Sequence, residues 1–211
     1  EGKLTLQEAK ELSKAEPETR KKAKANLKSG KSKKVKEAIK QVESETLKQK
    51  IATEPIEALN DFELLAKYNI KPQIYNIWNF ANRNLNFGDQ HFGQQTAELM
   101  FNLFYYYTNQ NNLVWDVFAG GGLTADVCRV MRRNCYSTDI KSTRNDIIQM
   151  DITKTIPDIN PQFIFLDPPY WLQAKGKYTI ESTDLANMNL HDFYNTFDIL
   201  FDGIKEKYRN F

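Results

Sequence analysis

A mostly apolar run, Leu113-Val114-Trp115-Asp116-Val117-Phe118, passes into Ala119-Gly120-Gly121-Gly122 and then into Leu123 to Arg133, where apolar residues recur at helical spacing. Strand, glycine turn and helix in that order constrain the fold more than any other feature of the chain. A helical stretch, Gln95 to Thr108, precedes this unit. After it the pattern predicts a second strand, Cys135 to Asp139, a weaker third, Asp146 to Met150 ending near Asp151, and a fourth, Phe163 to Leu166 ending at Asp167. A long helix from Leu190 to Tyr208 follows. Strands alternating with helices form a parallel α/β sheet, in which ligands sit at the carboxyl ends of the strands. Each of these strands ends on or near an acid.

Three consecutive glycines let the backbone turn sharply and let a ligand approach with no Cβ in the way. Asp139 stands 23 residues after Asp116, at the end of the next strand, where a carboxylate can accept both hydroxyls of a ribose. The turn has neither the Lys-Ser/Thr of a phosphate-binding loop nor the spaced glycines of a dinucleotide fingerprint, so the expected ligand carries a ribose and no pyrophosphate. Taken alone, the pair also fits a plain glycine-rich turn beside an exposed acid.

The second constellation is Asp167-Pro168-Pro169-Tyr170, followed by Trp171. An aromatic amine is a poor nucleophile because its lone pair is delocalised, and it becomes competent when acceptors hold its N–H bonds and favour a pyramidal nitrogen. Asp167 offers one acceptor. Pro169 keeps Pro168 out of the helical region, which lets the Pro168 carbonyl serve as a second. Tyr170 can stack on a base that has left its helix. Such a site works by positioning and fixed electrostatics and needs no metal. The plain alternative is that the prolines stop a strand and Tyr170 packs at the surface.

With both constellations in order on consecutive strands, the sequence resembles the amino-methyltransferases of DNA: Asp116 to Gly122 matches their motif I and Asp167 to Tyr170 their catalytic motif IV. The resemblance implies a class I, Rossmann-like methyltransferase fold with S-adenosyl-L-methionine as methyl donor and DNA as partner. It implies cofactor contacts from Asp116, Phe118, Ala119, Gly120, Gly121 and Gly122, with Asp139 and Ile140 at the ribose and Asp151 near the adenine ring. For Asp151 a turn role before Ile152 and Thr153 is an equal alternative. Phe87 to Thr96 resembles motif X, the loop that helps hold the methionine end of the cofactor, which adds Thr96 to the set. His91 reads as a hydrogen-bonded loop residue, His191 as a helix-start residue, and Tyr105-Tyr106-Tyr107 as core packing.

Charge divides the chain. Residues 1–50 hold 15 Lys or Arg against 8 Asp or Glu, a net +7, whereas the remaining 161 residues are at −5. The basic part reads as three short helices: Thr5 caps a run with Leu6, Ala9 and Leu12, Pro17 opens the second, Gly30 ends it, and Ser32 caps a third bearing Val35, Ile39 and Val42. Residues 51–72 read as a connector with one helix, Ile56 to Tyr68, and 73–211 as the methyltransferase core. The basic module resembles the helical part of ParB-like proteins, through Leu4 to Ala9 and Ser29 to Ser32. Such segments occur fused to amino-methyltransferases in phage-related proteins. At +7 it can neutralise phosphates, and equally it can be a merely solvated surface.

The expected activity is methylation of an exocyclic amine in DNA. Asp in the first motif position favours adenine N6 over cytosine N4. An RNA base, a protein amide, or a catalytically inactive ParB-like DNA-binding protein are the alternatives. No apolar run is long enough to cross a membrane, no signal pattern opens the chain, and Cys128 and Cys135 form no disulfide framework and read as core residues, so a cytoplasmic protein is expected. A start other than Met suggests a processed polypeptide. The pattern predicts fewer strands than a class I sheet has, so the sheet is expected to be incomplete at the C-terminus: either the chain is a fragment or its sheet ends at an open edge.

Overall fold

The computed structural model describes residues 5–53, 58–80, 86–142, 144–178, 180, 182 and 184–208. They fall into two compact units, Glu1–Pro55 and Ile56–Phe211.

The first unit holds three helices, α1 (Leu6–Lys14), α2 (Pro17–Lys28) and α3 (Val35–Thr53). The Thr5 side chain accepts from the Glu8 N–H while the Glu8 carboxylate accepts from the Thr5 N–H, so two orphan donors of the α1 terminus are satisfied reciprocally. Pro17 occupies the first turn of α2, where its missing N–H costs nothing. The core is small: Leu12, Ala23, Val35, Ala38 and Val42, with Leu27 and Ile39 against it. Ser32 does not cap α3, which begins at Val35; its hydroxyl instead donates to the Gln41 side chain (2.8 Å). At 19 residues α3 is also longer than a short helix.

The second unit begins its described elements with α4 (Asp61–Lys67), which starts later than the expected Ile56 because Asn60 and Glu63 form a capping box there. Residues 54–57 lie outside the described set. Then come α5 (Ala97–Tyr107), β1 (Leu113–Asp116), α6 (Leu123–Val130), β2 (Asn134–Asp139), β3 (Ile148–Gln149), β4 (Phe163–Phe165) and α7 (Leu190–Lys207). The four strands form one sheet in the order β3-β2-β1-β4, every pair parallel. The parallel α/β sheet read from the sequence is present, but strands and helices alternate only from α5 to β2, because among the described residues no helix stands between β2 and β3 or between β3 and β4. β1 lies between β2 and β4, which places the glycine turn at the centre of the sheet's carboxyl edge.

Alternation along β1 separates two cores. Trp115 and Val117 join Ile152, Leu200 and Tyr208 in the cluster under α7, and the Trp115 indole donates to Thr138 (3.1 Å). Val114 is buried and pairs with Phe163, whose ring meets Phe104 of α5 edge-on at 6.0 Å. A buried Arg133 joins α4 to this frame. Its guanidinium grips both oxygens of Asp61 at 2.6 Å and donates to the carbonyls of Phe104, Thr108 and Met131, so every face of the charge is met.

The tyrosine triplet differs from expectation: Tyr106 and Tyr107 are exposed, and only Tyr105 is half-buried. α5 buries Met100, Phe101 and Phe104 on its inner face, which turns Tyr106 and Tyr107 outward. Cys128 is buried, whereas Cys135 is half-buried with its thiol 3.1 Å from the Ser137 hydroxyl. Among the described residues no helix is long and apolar enough to cross a membrane.

Candidate active site

At the carboxyl edge the chain leaves β1 through Val117 and Phe118 and turns at Gly120 and Gly122, which adopt φ of +49° and +76°. The turn is held from several sides. The Gly120 N–H donates to Asp139 (2.8 Å), the Asp89 N–H to the Gly121 carbonyl (2.7 Å), and the Arg144 guanidinium to the same carbonyl (3.1 Å). Arg144 also pairs with Asp126 (2.7 Å) and Asp146 (2.5 Å), and Asp126 accepts the Gly88 N–H (2.7 Å). These partners keep the Arg144 guanidinium charged and hold the Asp146 carboxyl below its usual range. The glycines are required sterically as well. A Cβ on Gly121 would lie 2.0 Å from the Asp89 carbonyl oxygen, and one on Gly120 would lie 2.6 Å from the His91 ring.

A cavity of about 320 Å³ opens above this turn and reaches the end of β4. That size lies at the lower end of the range for small-molecule sites, roughly 300 to 1,000 Å³. Phe118, Gly120, Gly121, Asp139, Ile140 and Asp151 line one part of it and Asp167, Pro168, Pro169 and Tyr170 another. Ten of the fourteen residues singled out from the sequence thus share one space. His91, read as a loop residue, lines it too, with its Nδ1 3.1 Å from the Asp89 carbonyl.

The other four do not line it. Asp116 is buried beneath the turn, where Thr124 and the Phe118 N–H bond it while its Oδ1 has no partner. Burial pushes its carboxyl up to about 7, against the pull of those hydrogen bonds. Ala119 is buried and donates its N–H to the Thr138 carbonyl. Gly122 is the residue that enters α6, and Thr96 caps α5 by accepting from the Leu99 N–H (3.3 Å). These four shape the site from behind.

Asp139 spends one oxygen on Gly120 and the other on the Lys141 N–H (2.9 Å), which fixes its carboxylate at the cavity wall with lone pairs remaining. Asp151 accepts from the Thr153 N–H and hydroxyl and pairs with Lys154 (2.8 Å). Burial raises its carboxyl, but Lys154 and Thr153 outweigh that and hold it below the usual range. It therefore makes the local turn and also faces the cavity. Asp167 stands above the usual carboxylate range because burial outweighs the Gln95 amide and the nearby His91. The Tyr170 ring is 47% exposed, and its hydroxyl accepts from the Gln95 amide at 3.3 Å.

Residues 9–150 match the DNA methylase family whose members modify N6 or N4 amino groups. The chain belongs to this family. The matched stretch runs from α1 through the glycine turn and Asp139 and stops one residue before Asp151, so Asp167 to Tyr170 lie beyond it. Membership carries DNA amino-methylation, at adenine N6 or cytosine N4, as the activity class. No curated protein and no solved structure matches the chain.

Several residues around the cavity went unnoticed in the sequence. Lys177, Tyr178 and Asp184 line it from the segment after Tyr170, and Arg144 and Asp126 brace the turn from outside. None belongs to a local pattern. Each is visible only because a distant segment folds against the site.

Proposed function

We propose that the chain transfers a methyl group from S-adenosyl-L-methionine to an exocyclic amine of a DNA base, adenine N6 in preference to cytosine N4. One observation carries this reading: a single cavity joins the glycine turn to Asp167 and Tyr170. The residues present fit the cofactor. Gly120 and Gly121 bare the backbone, Asp139 faces the space where a ribose would lie, and Phe118 and Ile140 supply apolar walls. When bound, S-adenosyl-L-methionine supplies an electrophilic methyl on a positively charged sulfur.

The chain's own residues do the rest. Asp167 accepts one N–H of the amine and the Pro168 carbonyl the other, which localises the lone pair on nitrogen. Tyr170, half in solvent, stacks on a base rotated out of its duplex. A carboxylate whose pKa burial has raised is also a better acceptor for the proton that the nitrogen sheds once it gains the methyl. Asp rather than Ser in the first motif position supports adenine. Residues 1–50, at +7, add phosphate contacts that hold DNA near the site, in keeping with their resemblance to ParB-like segments.

The test is transfer of labelled methyl to DNA, with the modified base identified after digestion. Asp167→Ala should lose at least about a hundredfold in rate, the scale of removing one preorganised electrostatic group. Equal incorporation by variant and wild type would remove Asp167 from the mechanism, and label on cytosine would reassign the base.

A further inference from the structure

The loop before α5 is registered against the segment after β4 by contacts that no local motif contains. Gly93 turns with φ +78°, and a Cβ there would meet the Tyr178 hydroxyl at 2.9 Å. That hydroxyl donates to the Phe92 carbonyl (3.2 Å), and the rings of Phe92 and Tyr178 meet edge-on at 6.2 Å. Three residues after Gly93, Thr96 caps α5 and sets the direction in which the chain arrives. Gln95 lies between these two fixed points, half-buried, and its Nε2 reaches the Tyr170 hydroxyl at 3.3 Å.

An amide nitrogen has two protons, so one group can serve two acceptors. The same amide acts electrostatically on the Asp167 carboxylate, favouring its charged form. We propose that Gln95 is a positioning residue for methyl transfer, its amide spanning the Tyr170 hydroxyl and the Asp167 carboxylate so that the stacking ring and the N–H acceptor are set relative to each other. This rests on the reading of Asp167 and Tyr170 given above. A glutamine is suited to the task because it donates without charge, leaving Asp167 anionic and free to accept on its other lone pairs.

The expected signature is in the pH profile. Asp167 shares its cavity with His91 and the cations Lys141 and Lys177, with the acids Asp139 and Asp184 and with Tyr178, while Asp116 lies beneath the turn. Burial disfavours the charged Asp167 carboxylate, and the Gln95 amide and His91 favour it. Removing the amide lets the Asp167 pKa rise further. The active form is the carboxylate, so the acid limb of the rate profile should move to higher pH.

The experiment is single-turnover methyl transfer to DNA by the full chain across pH 5.5 to 9, for wild type, Asp167→Ala, Gln95→Ala and Gln95→Glu. Cofactor affinity and thermal unfolding are measured alongside. Gln95→Ala should slow transfer by about tenfold or more, the scale of one lost hydrogen bond to a charged group. Its acid limb should shift upward while cofactor affinity stays within about twofold, because Gln95, although part of the loop that resembles motif X, does not line the cavity. Gln95→Glu keeps the side-chain length but sets an anion beside Asp167, and should shift the limb further still. Gln95→Ala with wild-type rate and an unmoved limb, beside an inactive Asp167→Ala, overturns the role of Gln95 alone. A wild type that transfers nothing, or an Asp167→Ala as fast as wild type, overturns the underlying reading as well.

Discussion

The two sides of the cavity are built differently. On the glycine side, Asp139, Asp89 and Arg144 all bond the turn directly, Asp126 ties Arg144 to Gly88, and a Cβ at Gly121 would strike backbone. On the other side the backbone is held, with Ala174 donating to the Tyr170 carbonyl at 3.0 Å, but the side chains of Asp167 to Tyr170 are tied more loosely. Gln95 reaches Tyr170 at 3.3 Å and Tyr178 reaches Phe92 at 3.2 Å, while Tyr170 and Leu172 are about half exposed. The difference suits the two tasks. A small ligand of one shape is best held by a wall that cannot move, because a preorganised wall loses little entropy on binding. A base that must swing out of a duplex needs an opening and a ring it can reach.

The comparison breaks most sharply at Gly121. Gly121→Ala should drive the Asp89 carbonyl away and weaken cofactor binding by roughly a thousandfold, a 1 Å displacement at such a site already costing about a hundredfold in rate. Titration calorimetry with S-adenosyl-L-methionine measures it, and affinity within threefold of wild type would show that the wall yields.

Next in size is Arg144→Ala, which strands Asp126 and Asp146. The pair with Asp126 is mostly buried, so a stability loss of about 3 kcal/mol is expected in urea unfolding, at the low end for a broken buried pair because Asp146 is half-exposed. A loss under about 0.5 kcal/mol would make Arg144 a surface ornament.

Asp116 tests the rigid side from beneath. Its folded pKa of about 7 exceeds its ordinary value of 3.8, so the folded state holds the proton more tightly. Stability is therefore full below about pH 4, falls as pH rises toward 7 and levels off above it. At 1.36 kcal/mol per unit the ceiling is roughly 4 kcal/mol, and relaxation around the charge should bring the effect nearer about 2 kcal/mol. Asp116→Asn should flatten the slope of unfolding stability between pH 4 and 7; an unchanged slope would assign it to another group.

The smallest effect belongs to the looser side. Tyr170→Phe keeps the ring and loses only a 3.3 Å hydrogen bond, so transfer to DNA should fall by no more than about threefold, the low end for a neutral bond. A hundredfold fall would mean that the hydroxyl itself takes part.

Much of the local architecture was legible in the chain. Thr5, Pro17 and the three glycines act within a few residues of themselves, and the apolar run Leu113 to Phe118 announces a strand whose partners need not be known. Where the sequence misled, a competing contact was decisive: Ser32 found Gln41 in place of a helix terminus, and α5 turned Tyr106 and Tyr107 outward once Phe101 and Phe104 claimed the core.

Periodicity, caps and turn residues are short-range physics, and they by themselves determined the helix-strand-helix-strand run from α5 to β2 and the two motifs at strand ends. Tertiary structure alone decided which acids reach the cavity. Asp139, Asp151 and Asp167 face it and Asp116 lies under it, because the direction of a strand-end side chain depends on which helix covers that face. It alone brought Gln95 to Tyr170 across 75 residues and Arg144 to Asp126, since contacts between segments far apart in the chain leave no pattern within either one.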